Sequence, residues 1–197
     1  MSGELTLQQR CDSYAETFPD WPPPRVENGR ISGIWMLGNN YRSRSDLYGA
    51  YPPGYLNRVR ALFPDLIGKM VMHLFSGSLP PGPYTRVDLV RDADIQADAQ
   101  HLPEEWDNLF DLIIADPPYS REDAKRYECP MPNRRLVLQE CARVIRPGGF
   151  VVWLDTVWPM CKCGQDNPNA DWNLAGHIGV IRSMMHRVRV VTLLERR

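Results

Sequence analysis

The sequence predicts a three-layer α/β domain built on a mostly parallel sheet, and three observations carry that reading. Short apolar runs recur at residues 70–75, 85–90, 95–97, 111–115 and 150–154. Two of them, LIIA and FVVWL, are apolar without alternation, as strands buried on both faces must be. Between the last two runs lies a helical pattern over 133–145, with Val137, Cys141, Val144 and Ile145 on one side. The stop signal Arg146-Pro147-Gly148-Gly149 stands behind it, so strand, helix, Gly turn and strand form a βαβ unit. The 197 residues, 43% of them hydrophobic, suit one domain with a real core.

Taken in order, residues 1–30 hold Pro19, Pro22, Pro23 and Pro24 and few periodic apolar positions, which predicts an irregular N-terminal arm ahead of a single domain over 31–197. Residues 31–37 (ISGIWML) read as a short strand, followed by the polar stretch GNNYRSRSD. Pro52, Pro53 and Gly54 then precede a helix with Leu56, Val59, Leu62 and Phe63 on one face. After the central runs, residues 188–194 read as a final strand paired with a segment near 177–181. No internal repeat is present.

Composition narrows the classes of function. No apolar run approaches the ~18 residues that span a bilayer, and residues 1–10 lack a signal-peptide pattern, which argues against a membrane or secreted protein. Five scattered cysteines (Cys11, Cys129, Cys141, Cys161, Cys163) do not make a disulfide framework and suit a reducing, cytoplasmic setting. The Cys161-x-Cys163 pair cannot alone supply four zinc ligands, so no metal site is expected. Net charge is −1 but unevenly spread: the segment 88–128 is acidic, while 25–60 and 177–197 are rich in arginine. Arginine suits bidentate phosphate contacts and base stacking, which is compatible with nucleic acid without establishing it.

In an open parallel sheet, ligands sit at the carboxyl ends of the strands, so the residues just after each run matter most. Phe75-Ser76-Gly77-Ser78 follows the first run; small residues there let backbone N–H groups face a carboxylate or phosphate. Asp88 ends the second run, where a carboxylate can take both hydroxyls of a ribose. Asp98 follows the third, placed to accept from an exocyclic adenine amine. The strongest signal follows the fourth: Asp116-Pro117-Pro118-Tyr119. An exocyclic amine is a poor nucleophile because its lone pair is delocalised into the ring. If the Asp116 carboxylate and the Pro117 carbonyl each accept one amine N–H, the nitrogen is aimed at an electrophile and its growing positive charge is stabilised. Tyr119 offers a face on which an extruded base stacks.

With these residues in place, the chain resembles a class I S-adenosylmethionine-dependent methyltransferase with a DPPY motif, similar to DNA adenine-N6 and cytosine-N4 amino-methyltransferases. The resemblance runs from Met70 to about Trp158. It implies a Rossmann-like sheet, mostly parallel with an antiparallel C-terminal strand. HLFSGS (His73, Phe75, Ser76, Gly77 and Ser78 among them) matches the loop at the cofactor's methionine end, and Asp88 matches the ribose acid. ADAQHLP, with Asp98 and Ala99, matches the adenine contact, and FDLIIADPPY matches the catalytic motif with Asp116, Pro117, Pro118 and Tyr119. Departures are visible too. His73 stands where the family has an acid, and the segments after the first and second strands are too short for helices. Cofactor contacts from Asn39, Asn40, Tyr41 or Arg42 are a further expectation.

The implied activity is methyl transfer from S-adenosylmethionine to an exocyclic amine, adenine N6 in DNA first. The resemblance leaves cytosine N4, an RNA base or another amine as alternatives, and a non-catalytic binding subunit as a reading of another class. An oxidoreductase is disfavoured because G-x-G-x-x-G does not follow the first strand. The expected partner is nucleic acid, with no membrane. With no separate target-recognition domain in the sequence, duplex reading falls to residues 25–60, to residues 161–172 or to a protein partner.

Overall fold

The apolar runs become five neighbouring strands of one nine-stranded sheet in a computed structural model that describes residues 4–38, 51–159, 170–182 and 188–197. In chain order the strands are β1 (Arg25–Glu27), β2 (Arg30–Met36), β3 (Val71–Leu74), β4 (Thr85–Asp88), β5 (Ile95–Gln96), β6 (Phe110–Ala115), β7 (Ile145–Asp155), β8 (Trp172–Ile181) and β9 (Arg189–Arg196). Across the sheet they run β1-β2-β8-β9-β7-β6-β3-β4-β5. The strands β3 to β7 are mutually parallel, and β9 lies antiparallel between β7 and β8. This is the mostly parallel sheet with an antiparallel C-terminal strand expected from the sequence. The chain leaves β3 toward β4 and β5 on one side and returns to β6 on the other, which makes the carboxyl ends of β3 and β6 the switch point.

Side-chain alternation divides the core into two layers. On β6 and β7, Leu112, Ile114, Phe150, Val152 and Leu154 pack on one face with the helices α1 (Leu7–Thr17) and α2 (Tyr55–Leu62). Ile113, Ala115, Val151 and Trp153 pack on the other, against Val137, Leu138 and Cys141 of a later helix, Arg134–Val144. A short helix, α3 (Arg121–Arg126), precedes it, so it is α4. Asn133 caps α4 by accepting the N–H groups of Arg135 (3.1 Å) and Leu136 (3.4 Å). The Arg146-Pro147-Gly148-Gly149 turn is absorbed into the start of β7, with Gly148 at a φ of 79° and a register shift opposite Phe110 and Leu112. As expected, neither β3–β4 nor β4–β5 is joined by a helix.

The arm expected to be irregular over residues 1–30 is instead a helix and a strand. Thr6 and Gln9 form a capping box: the Thr6 hydroxyl accepts the Gln9 N–H (3.3 Å) and the Gln9 side chain accepts the Thr6 N–H (2.9 Å). From α1, Arg10 is 1% exposed and lies between the rings of Phe63 and Phe150, its guanidinium bound to both oxygens of Asp65 at 2.5 and 3.0 Å. Helix α1 therefore completes the core that α2 begins, and β1 pairs with β2 at the sheet edge. No helix among the described residues is long and apolar enough to cross a membrane.

Candidate active site

The turn after β3 is tight because two of its residues take left-handed backbone. Phe75 has a φ of 60° and Gly77 of 55°; for phenylalanine this is a strained conformation of the kind that functional loops hold. Strand β4 holds the turn in place. The Ser76 N–H donates to the Val87 carbonyl (3.0 Å) and the Gly77 N–H to Asp88 Oδ2 (2.9 Å). Asp88 Oδ1 accepts the N–H groups of Val90 (2.9 Å) and Arg91 (2.8 Å). Asp88 is thus a clasp between two strand ends, and a carboxylate with about four acceptor sites retains room for a ribose hydroxyl. After β5, Asp98 accepts the N–H of Gln100 (2.9 Å) and its side-chain amide (3.2 Å).

One cleft at these strand ends gathers most of the residues singled out in the sequence. Phe75, Gly77, Asp88, Asp98 and Ala99 line it on one side, and Asp116, Pro117, Pro118 and Tyr119 on the other. Its empty space is ≈ 980 Å³, mouth included. Three expected residues lie elsewhere. His73 is buried on the opposite face of the sheet, because alternation along β3 sends Met72 and Leu74 toward the cleft layer and His73 away. There its Nδ1 lies 3.1 Å from the Tyr51 hydroxyl and its ring packs on Tyr84, and burial lowers its pKa to about 4. Ser78 lines a neighbouring depression with Tyr51 and Leu79. Ser76 is 1% exposed behind the wall, its hydroxyl without a hydrogen-bond partner among the described residues. Asn39, Asn40, Tyr41, Arg42, Cys161 and Cys163 lie outside the described residues.

Strand β6 delivers Asp116 into the mostly buried base of the cleft. Burial pushes its carboxyl up to about 7 from an ordinary 3.8, and the Asp155 charge adds to the rise. A hydrogen bond from the Tyr119 hydroxyl to Oδ1 (2.6 Å) and the charge of Arg189 act the other way. Among the described residues Tyr119 is the one side chain that hydrogen-bonds this carboxylate, and the Pro117 carbonyl accepts no hydrogen bond. The Asp116 carboxylate and the Pro117 carbonyl thus both stand at the end of β6, where the cleft lies. The Tyr119 ring does not present two open faces: the Arg189 guanidinium carbon lies 5.1 Å from its centroid.

Sequence reasoning missed what fixes this loop. Arg134, the first residue of α4, donates from Nη2 to the Tyr119 carbonyl (3.2 Å) and binds Asp155 at 2.6 and 3.2 Å. Asp155, at the end of β7, is fully buried and also accepts the Trp153 indole N–H (3.2 Å) and the Thr156 N–H (2.7 Å). Removing the arginine leaves a buried carboxylate without its counter-charge. Arg134→Met is expected to cost about 3 kcal/mol of stability in urea unfolding at pH 7 and to loosen the 116–119 loop. The residues Arg182 and Arg189, also on the cleft wall, belong to the arginine-rich C-terminal segment; their position came from the β8–β9 pairing, which composition does not show.

No family model matches the sequence, and no curated protein matches it. Among solved structures the chain is similar to TrmN from Thermus thermophilus, with 19% identity and a TM-score of 0.44 over 66% of this chain and 44% of that one. It is also similar to the aminoglycoside resistance methyltransferase NpmB1, with 13% identity and a TM-score of 0.38 over 64% of this chain and 87% of that one. A third likeness, to the antibiotic-resistance methyltransferase Kmr, has 18% identity and a TM-score of 0.33 over 51% and 60% of the two chains.

Proposed function

We propose that this protein is an S-adenosylmethionine-dependent methyltransferase acting on an exocyclic amine of a nucleobase, adenine N6 in DNA first. One observation carries the reading: the Asp116-Pro117-Pro118-Tyr119 loop ends β6 in the same cleft that receives Asp88 and Asp98 from the β4 and β5 ends. The donor set fits the cofactor. Asp88 suits the ribose hydroxyls, Asp98 the adenine amine, and the strained turn at Phe75 and Gly77 the amino-acid end. Ala99 leaves space, and the unpartnered Ser76 hydroxyl sits just behind the turn. When bound, S-adenosylmethionine supplies an electrophilic methyl group.

The chain's own residues then deal with the amine. Ionised Asp116 and the Pro117 carbonyl accept its two N–H groups, turn its lone pair toward the methyl, and stabilise the positive charge that grows on nitrogen. Pro118 keeps the loop extended after Pro117. Tyr119 steadies Asp116 through its hydroxyl and offers its free face to the base. Target reading is assigned to the arginine-bearing segments or to a protein partner.

The test is incubation with methyl-labelled S-adenosylmethionine and unmethylated duplex DNA, single-stranded DNA and RNA, followed by mass spectrometry of the nucleosides. Label in N6-methyladenine from DNA is the expected result. Label from RNA alone reassigns the polymer and keeps the reaction; label on carbon or oxygen atoms overturns the reading.

A further inference from the structure

Arg182, one residue past β8, and Arg189, the first residue of β9, line the Tyr119 side of the cleft. The antiparallel ladder brings them there, since Val180 pairs with Arg189 where one strand ends and the other begins. Arg189 lies over the Tyr119 ring, and Tyr119 donates to Asp116, so Arg189 stands one side chain away from the proposed amine site. The Nε of Arg182 and the Nε and Nη1 of Arg189 are buried, and none has a hydrogen-bond partner among the described residues.

The other buried arginines each keep at least one anchoring partner, although the Nε of Arg10 is likewise without one among the described residues. Arg10 has Asp65, Arg58 has the Tyr14 hydroxyl, Arg86 has Asp94 and Arg134 has Asp155. Buried guanidinium N–H groups are costly without acceptors, so those of Arg182 and Arg189 point to a ligand that brings them. The nearby carboxylates do not fill the role: Asp155 is committed to Arg134, and among the described residues the Asp116 carboxylate is hydrogen-bonded by Tyr119 and not by either arginine. Burial, and then the charge of Arg189, lower the pKa of Arg182, so the two cations feel each other. Two guanidiniums beside a nitrogen that gains positive charge work against the reaction unless an anion arrives with the substrate.

Building on the methyltransferase reading above, we infer that Arg182 and Arg189 form a phosphate subsite for the nucleotide whose amine meets Asp116. Guanidinium forks match phosphate oxygens in bidentate fashion, and the bound phosphate neutralises the pair where the chemistry needs it. The site then selects a nucleotide, free or within a strand, over a nucleoside or an amide side chain.

The experiment titrates dAMP, deoxyadenosine, inorganic phosphate and, separately, S-adenosylmethionine into the wild-type protein and into Arg182→Gln/Arg189→Gln. The expected result is that wild type binds dAMP at least about tenfold more tightly than deoxyadenosine and that inorganic phosphate competes with dAMP. In the double variant the preference shrinks to within about twofold while S-adenosylmethionine affinity is unchanged. Arg189→Lys, which keeps a charge but loses the fork, should fall between, and covers the case of a double variant that does not fold. Equal wild-type affinities for dAMP and deoxyadenosine, no binding of dAMP, or a preference that survives the substitutions would overturn the subsite. A loss of S-adenosylmethionine affinity in the double variant would also overturn it, by assigning the arginines to the cofactor's carboxylate. Failure of wild type to bind S-adenosylmethionine counts against the methyltransferase reading instead, and the phosphate preference still decides the subsite.

Discussion

Asp116→Asn is expected to reduce methyl transfer about 1,000-fold and, at pH 8, to make the protein more stable than wild type. The two effects have one origin. The carboxylate sits where burial raises its pKa to about 7, so holding it ionised costs the fold free energy. Below the unfolded value near 3.8 both states carry the proton and the cost is absent. As pH rises from there to about 7 the unfolded chain ionises first, and stability falls. Above about 7 the cost is complete, on the order of 4 kcal/mol. Asparagine has the same shape, keeps an oxygen for the Tyr119 hydroxyl, and carries no charge to bury. Melting curves of the two proteins should therefore separate at pH 8 and converge near pH 4. Transfer by wild type should rise with pH through about 7, as Asp116 ionises and becomes an acceptor for both lone-pair alignment and charge. Cofactor affinity should change by less than about threefold, since the role proposed for Asp116 is toward the amine. Full turnover by the asparagine variant would remove Asp116 from the chemistry.

Asp88→Ala is expected to weaken S-adenosylmethionine binding about 100-fold, near 3 kcal/mol, as charge-assisted hydrogen bonds to ribose hydroxyls are lost. The structure adds a second consequence. Because Asp88 also accepts the N–H groups of Gly77, Val90 and Arg91, the alanine variant frees the turn that carries Phe75. Stability should fall by about 2 kcal/mol as those amides lose their acceptor. Urea unfolding and calorimetry on the same variant separate the two effects. Unchanged cofactor affinity in a destabilised variant would leave Asp88 as a clasp only.

The central architecture was legible because its signals are local and strong. Unbroken apolar runs such as LIIA and FVVWL have one comfortable home, a strand covered on both faces, and DPPY marks the end of one of them. The Phe75, Gly77, Asp88, Asp98 and Asp116 positions followed from asking what stands at each strand end. His73 was misplaced because the family pattern was followed one residue too early, whereas strand alternation turns that side chain to the far face. Helix α1 escaped because its buried face includes Arg10, a residue that lowers apolar periodicity while packing between two aromatic rings. The Thr6-x-x-Gln9 capping box was the available clue. The Arg134–Asp155 latch joins a helix start to a strand end 21 residues on, and the Arg182–Arg189 pair reaches the cleft only through the antiparallel β8–β9 ladder.

The measurement that bears most directly on the whole account is calorimetric titration of S-adenosylmethionine into the purified protein, with thermal melting in parallel. The account predicts one site in the micromolar range, about −8 kcal/mol, displaced by S-adenosylhomocysteine, and a stabilisation of about 2.7 kcal/mol at a hundredfold excess over Kd. No heat at two temperatures, together with an unshifted melting curve, would contradict it.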